Sequence, residues 1–338
     1  MKLNLLLNVA FVFALFTLIS CKKSNNEKPV QSHDIYVIGN DNNQPVYWKN
    51  GVETSLTTTY STLKFTVGYA TGITFSGNDL YISGICAGVN ISNTPVYWKN
   101  GIIDTLQRPH GLATDATSIV ASGTDIYIGG GHVGYAIYST PNNAVLWKNG
   151  KPTEFGGSAA EIDNLFIAPD GIYSAGTDGD NGANYATYYR NGTAIKLSSA
   201  IGVISTGIYV DGNNVYVCGI ENDGFAQYAV YWKNGIETFL SSQISSCNAI
   251  YVSGGDIYVA GFEKFNGETV ATVWKNGIAT HLSSIESNCN DIVVAGNDIY
   301  VVGTISKTPF YPEATIWKNG VATTLSPAVS NAGKIYIK

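Results

Sequence analysis

Trp48-Lys49-Asn50-Gly51 recurs as Trp98-Lys99-Asn100-Gly101 and again from Trp147, Trp232, Trp274 and Trp317. A degenerate copy, Tyr189-Arg190-Asn191-Gly192, fills the one gap, and the steps between copies are 50, 49, 42, 43, 42 and 43 residues. A fixed period of this size marks stacked supersecondary units that share one continuous core. Asn-Gly is the strongest short hairpin signal, because both central residues of a type I′ turn need positive φ. Each copy therefore reads as the turn between two strands of one unit.

Working outward from the turn, each unit resolves into four short strands. The sixth reads Ile250–Ser253 (a), Asp256–Gly261 (b), Val270–Trp274 (c) and Ile278–Leu282 (d), alternating runs bounded by Gly and Asn. The step from the first apolar residue of strand a to the Tyr of strand b is always 8, as from Ile250 to Tyr258. The step from that Tyr to the Trp or Tyr189 varies from 12 to 20. In an up-and-down unit the a–b and c–d turns lie on one face, and the b–c and d–a connections lie on the other. One face is thus constant and tight while the other is variable, and function usually sits on variable loops. The chain begins in strand b at Asp34 and ends with Gly333-Lys334-Ile335-Tyr336-Ile337-Lys338, which aligns with a strand a. The expected fold is all-β: a seven-bladed β-propeller of four-stranded blades over 34–338, its first blade closed by strands from both termini, which leaves no gap in the ring.

Strand b ending in Gly, followed by the Tyr-Trp pairs Val46-Tyr47-Trp48 and Val230-Tyr231-Trp232, resembles the kelch-type propeller. Kelch blades carry a Gly-Gly doublet after strand b, matched here by Gly129-Gly130, and separate the Tyr and Trp that stand adjacent in this chain. The resemblance implies the architecture and assigns no functional residue.

Of 338 residues, 45% are hydrophobic and only 13% charged, with 37 Gly and 22 Tyr, an all-β composition. A net charge of −6 gives nucleic-acid binding no electrostatic support. Residues 1–21 read as a signal peptide, with Lys2, an apolar run from Leu5 to Leu18, and then Leu18-Ile19-Ser20-Cys21. That last stretch resembles a bacterial lipobox, which implies cleavage before Cys21 and lipidation of Cys21. Lys22 at the next position implies an outer-membrane address, periplasmic or surface-exposed. Cys21-Lys22-Lys23-Ser24-Asn25-Asn26 resembles the lipoproteins of Bacteroidetes. Residues 22–33 are polar and aperiodic and read as a flexible tether. The tether would leave from the constant-turn face, turning a ring of Lys49, Lys99, Lys148, Arg190, Lys233, Lys275 and Lys318 toward the membrane. Cys86, Cys218, Cys247 and Cys289 lack zinc-site spacing. Cys247 and Cys289 stand one repeat apart, which leaves open a disulfide or two small core residues.

Two sets of residues are candidates for ligand contact. Thr71, Thr117, Asp163, Thr206, Asn248 and Asn290 stand two places before the first apolar residue of strand a and would encircle the channel mouth. They suit a small polar ligand, an ion or water, with Asp163 the one charge of the ring. Tyr135, Tyr138, Tyr185, Phe225 and Tyr228, with Phe262, Phe310 and Tyr311, fall on variable loops and suit stacking on sugar or packing on a protein. The repeated Trp and strand-b Tyr read as packing residues. Arg108, His110, Asp115 and Asp163 offer the ingredients of an acid–base set. Asp178-Gly179-Asp180-Asn181-Gly182 is an incomplete calcium loop that lacks the closing Glu. No metal site, cofactor or catalytic residue is expected. The sequence thus leads to a monomeric, lipid-anchored envelope module that binds a glycan, peptide or protein through its variable face. The alternative is a glycan hydrolase or lyase using carboxylates near Asp163.

Overall fold

The computed structural model describes residues 33–111, 114–132, 143–157, 159–180, 183–308 and 310–338. Asp34–Lys338 form one compact unit of seven four-stranded antiparallel sheets arranged as a propeller, as the repeat implies. In blade 1, strand a (Ser330–Ile337) comes from the C-terminus, and b (Ile35–Asp41), c (Gln44–Lys49) and d (Val52–Ser55) come from the N-terminal part. Ile35 pairs with Ile337 and Val37 with Ile335, so the ring closes by backbone hydrogen bonds. The only helix among the described residues is the three-residue turn Pro109–Gly111.

The turns form as their sequence dictates. Every Asn of the repeat has φ of 50–51° and every following Gly 79–84°, the type I′ signature. The Asn side chain then ties two turns together: Asn276 Oδ1 accepts from Ile257 N–H at 2.9 Å and its Nδ2 donates to Asp256 at 2.8 Å. The turn Asp residues therefore bond side chains of the neighbouring c–d turn. The repeated Trp residues are all buried, at 0–1% exposure, and each packs on the preceding blade. Trp232 sits with Tyr173, Ala175 and Ala186, and Trp274 with Tyr216, Cys218 and Ala229. Trp48 packs on Tyr300, Val302 and Ala314 of blade 7, so the core runs unbroken through the closure.

Strands a and b run further toward the variable face than the sequence reading placed them. In blade 6 they span Ser245–Ser253 and Asp256–Phe265, and Asn266-Gly267 closes b to c as a second positive-φ hairpin turn. The variable b–c connection there is a β-hairpin, paired out to Phe265 and Glu268. All four cysteines of the propeller are free and buried, so Cys247 and Cys289 are separate core thiols.

Candidate functional site

The central channel is built from the seven a strands, and each carries a β-bulge at the same place. The bulge residue is Thr71, Thr117, Asp163, Thr206, Asn248 or Asn290 in blades 2 to 7 and Gly333 in blade 1. The sequence-derived ring is therefore real as a ring, and bulging is what turns it out of the ladder. Opposite each bulge, strand b needs glycine. A Cβ on Gly219 would lie 2.1 Å from the Ile204 carbonyl oxygen and 2.9 Å from the Trp232 ring.

Five of the bulge side chains reach the next blade. Thr71 donates to Ala116 O at 2.7 Å, Thr206 to Cys247 O at 2.8 Å, Asn248 to Cys289 O at 2.7 Å and Asn290 to Ala332 O at 2.9 Å. Thr117 donates likewise to Ile162 O. Five of the seven places in the belt are thus blade-to-blade clasps. In blade 4 the clasp position holds Asp163, which donates only when protonated. Burial, with Glu161 close by, pushes its carboxyl up to about 8, against the opposing pull of Lys334. Burial also raises Glu161, with Asp115 adding repulsion, and raises Asp115, which accepts from Asn93 at 3.1 Å. Three carboxyls thus crowd one side of the mouth.

One residue further along strand a lies a second polar layer that the sequence reading missed. Ser118, Asn164, Asp291 and Lys334 line a partly open cavity of about 260 Å³ in the channel. Lys334 Nζ lies 3.8 Å from Asp291 Oδ1, and Asp291 Oδ2 accepts from Ile335 N–H at 2.9 Å. Toward the constant-turn face the wall is aromatic, with Phe166, Tyr209 and Tyr251 in contact at 4.8 Å between ring centroids. The signal was available in Asp291 and Lys334 standing 43 residues apart at equivalent repeat positions.

The loop aromatics separate into two kinds. Phe225 is 99% exposed, Phe310 92% and Tyr311 61%, whereas Tyr185, Tyr228 and Phe262 are half-buried. Tyr135, Tyr138 and Cys21 lie outside the described residues. Phe225 is held by Asp223, whose Oδ1 accepts from the N–H of Phe225 at 2.9 Å and of Ala226 at 2.8 Å, an Asx-turn. Phe310 has φ of 69°, an unfavourable region for a bulky side chain. Tyr185 lies under Lys196, whose Nζ is 3.1 Å from the ring centroid.

Of the acid–base ingredients, Asp115 and Asp163 belong to the carboxyl cluster of the mouth, while Arg108 and His110 are engaged elsewhere. Arg108 donates to Ser92, and His110 meets Glu154 at 3.1 Å on the outer strand of blade 3. Asp178 accepts from Gly157 N–H at 2.7 Å, which uses the first oxygen of the supposed calcium loop. Among the described residues no cluster of three or more His, Cys, Asp or Glu is placed to hold a metal ion.

The cations of the constant-turn face are mostly paired. Lys49, Lys99, Lys148, Arg190, Lys275 and Lys318 each meet an Asp at 2.6–2.9 Å. In blade 5 the Asp position is Asn214, bonded to Asn234. Lys hydrogen bonds hold Asp125, Asp256 and Asp298 below the usual carboxylate range. The expected ring of positive charge is therefore largely neutralised.

No protein-family model matches the sequence, and neither does any curated protein. Among solved structures the chain is similar to a puromycin hydrolase, with TM-score 0.58 and 11% identity, covering 88% of this chain and 54% of that one. A puromycin-hydrolyzing peptidase of Mycobacterium tuberculosis gives TM-score 0.54 and 10% identity over 83% of this chain and 49% of that one. An acylaminoacyl peptidase in complex with Z-Gly-Gly-Phe-chloromethyl ketone gives TM-score 0.50 and 11% identity over 86% and 50%. The chain spans about half the length of these proteins, and at such identities the likeness is one of fold, a β-propeller.

Proposed function

We propose that this chain is an envelope lipoprotein, anchored at Cys21, whose propeller binds a glycan, peptide or protein partner through its variable-loop face. The observation that carries the reading is the placement of Phe225, an aromatic left 99% exposed on an Asx-turn. Exposed, preordered aromatic rings lose little entropy on binding and supply much of a partner's contact energy. Phe310 and Tyr311 on the blade 7 b–c connection add to the same face. Asp34 and Lys338 exchange backbone hydrogen bonds at 3.0 and 2.9 Å beside the constant turns, which supports a variable face turned away from the anchor. A 12-residue tether spans roughly 20 Å as a flexible coil. A glycan array and an envelope pull-down with the soluble form starting at Lys22 test this reading. Specific capture that is lost on Phe225→Ala supports it, and capture indifferent to that change contradicts it.

A second reading, hydrolysis or lysis of a glycan, is favoured by the crowding of Asp115, Glu161 and Asp163, whose raised carboxyls suit acid catalysis. Turnover of glycans captured on the array that stops on Glu161→Gln would support it.

A further inference from the structure

The channel cavity below the clasp belt is unusual in its balance of hydrogen-bond donors and acceptors. Its polar layer has four side chains, from blades 1, 3, 4 and 7, and glycine or alanine at the other three places leaves the space open. Asp291 and Ser118 of this layer are already engaged as acceptors. Asp291 takes the Ile335 N–H and faces Lys334, and Ser118 Oγ takes the Leu165 N–H at 3.1 Å. The donors are not. Lys334 carries three N–H bonds and has one long contact at 3.8 Å, the Asn164 amide has no partner among the described residues, and the Ser118 hydroxyl keeps its hydrogen. A half-buried ammonium with unspent hydrogens, set over an apolar wall, calls for an acceptor-rich group with an apolar tail.

We propose that this cavity is a binding site for a small organic carboxylate, its anionic end on Lys334, Asn164 and Ser118 and its apolar end against Phe166, Tyr209 and Tyr251. The site is distinct from the partner-binding face above and does not depend on it. The volume of about 260 Å³ equals roughly nine waters at their liquid packing, and so takes one small acid but not an oligomer. A neutral isostere would leave Lys334 only its long 3.8 Å contact with Asp291, so the amide of the same acid should bind more weakly. The charged and titratable groups lining the site are Lys334, Asp291, Tyr209, Tyr251 and Tyr336, with Asp163 and Glu161 beside it in the layer above. Asp163, neutral below about pH 8, becomes a repelling charge above it, so affinity should fall as pH rises through that value.

Isothermal titration of the purified full chain in detergent with phenylacetate, phenylacetamide and inorganic phosphate tests the proposal. The expected result is phenylacetate binding at least tenfold tighter than phenylacetamide and tighter than phosphate. Binding should weaken about tenfold between pH 7 and 9, and Asp163→Asn should flatten that fall. The double variant Asp291→Asn/Lys334→Met, which removes the ion pair as a unit, should abolish binding. If it fails to fold, Asn164→Leu, which leaves the pair intact, should weaken binding at least fivefold. Absence of phenylacetate binding, equal binding of acid and amide, preference for phosphate, or binding unchanged in a folded double variant or in Asn164→Leu would overturn it, leaving a channel that holds water alone.

Discussion

Asp163 shows how one residue is decided by its neighbours. Its counterparts Asn248 and Asn290 donate an amide hydrogen to the next blade, and Asp163 has only a carboxyl to offer in the same place. Its folded pKa of about 8 lies well above the roughly 3.9 of an unfolded-chain aspartate, so the folded state retains the proton. The stability this proton supplies is complete below about pH 4 and is lost as pH rises through 8. Asp163→Asn should therefore raise stability by about 2–4 kcal/mol at pH 8.5 and leave it nearly unchanged at pH 4, measured by urea denaturation at both values. Equal stability of the two proteins at pH 8.5 would show that Asp163 takes no part in the belt. The Trp residues make the opposite case. Trp232 is 1% exposed between blades 4 and 5, and Trp232→Ala should cost about 3–5 kcal/mol in the same assay. If Trp232→Ala folds with native stability yet loses partner binding, the roles assigned to buried and exposed aromatics are reversed. Both residues were visible in the repeat, but whether Asp163 contacts a ligand or a carbonyl depends on a bulge that no spacing announces.

Among elements, the a–b and c–d turns were fully legible. Asn-Gly in the c–d turns and a leading Gly in most a–b turns adopt positive φ, which follows from local sterics whatever the tertiary context. The charge of the same turns was not legible, because pairing Lys275 with Asp256 requires knowing that two turns 20 residues apart share one face. The b–c connections were legible only as variable. Asp41, Glu221 and Glu263 each fall two residues after the strand-b glycine, where the extended strands bring them against outer-strand partners. Glu263 meets His281 at 2.7 Å and also the Ser241 hydroxyl. Burial and the nearby Glu221 push the half-exposed Glu237 up to about 7. Proton sharing between these carboxyls weakens as pH rises from about 4.5 through 7, so Glu237→Gln should remove a loss of blade 5 protection over that range. Hydrogen exchange of the Gln227–Lys233 and Ile236–Phe239 strands at pH 5 and pH 8 would read it out, and identical wild-type profiles at the two values would refute it.

For the whole molecule, closure is the decisive feature. Blade 1 draws its inner strand from Ser330–Ile337, and the Trp48 cluster spans the seam. A chain ending at residue 329 should lose cooperative unfolding, because blade 1 would then present an unpaired edge to blades 2 and 7. A sharp thermal transition within a few degrees of the intact chain would contradict the shared-blade closure. This closure could be read from the sequence because the C-terminal segment repeats the spacing of strand a, and a ring with a fixed period has one place for it. The spacings pointed to the variable face, but they could not reveal which of its residues work, since pattern fixes only what every blade has in common. That question turns on the residues that break the pattern: Phe225 and Phe310 above, and Asp291 and Lys334 within. The most direct measurement compares, on one glycan and envelope-protein array, the soluble form from Lys22 with two variants. One carries Phe225→Ala, Phe310→Ala and Tyr311→Ala on the variable face, and the other carries Lys99→Ala, Lys233→Ala and Lys275→Ala on the turn face. The account predicts that the first loses capture at least tenfold with its melting temperature unchanged, while the second binds as wild type. Capture that survives the first set and fails with the second would contradict it.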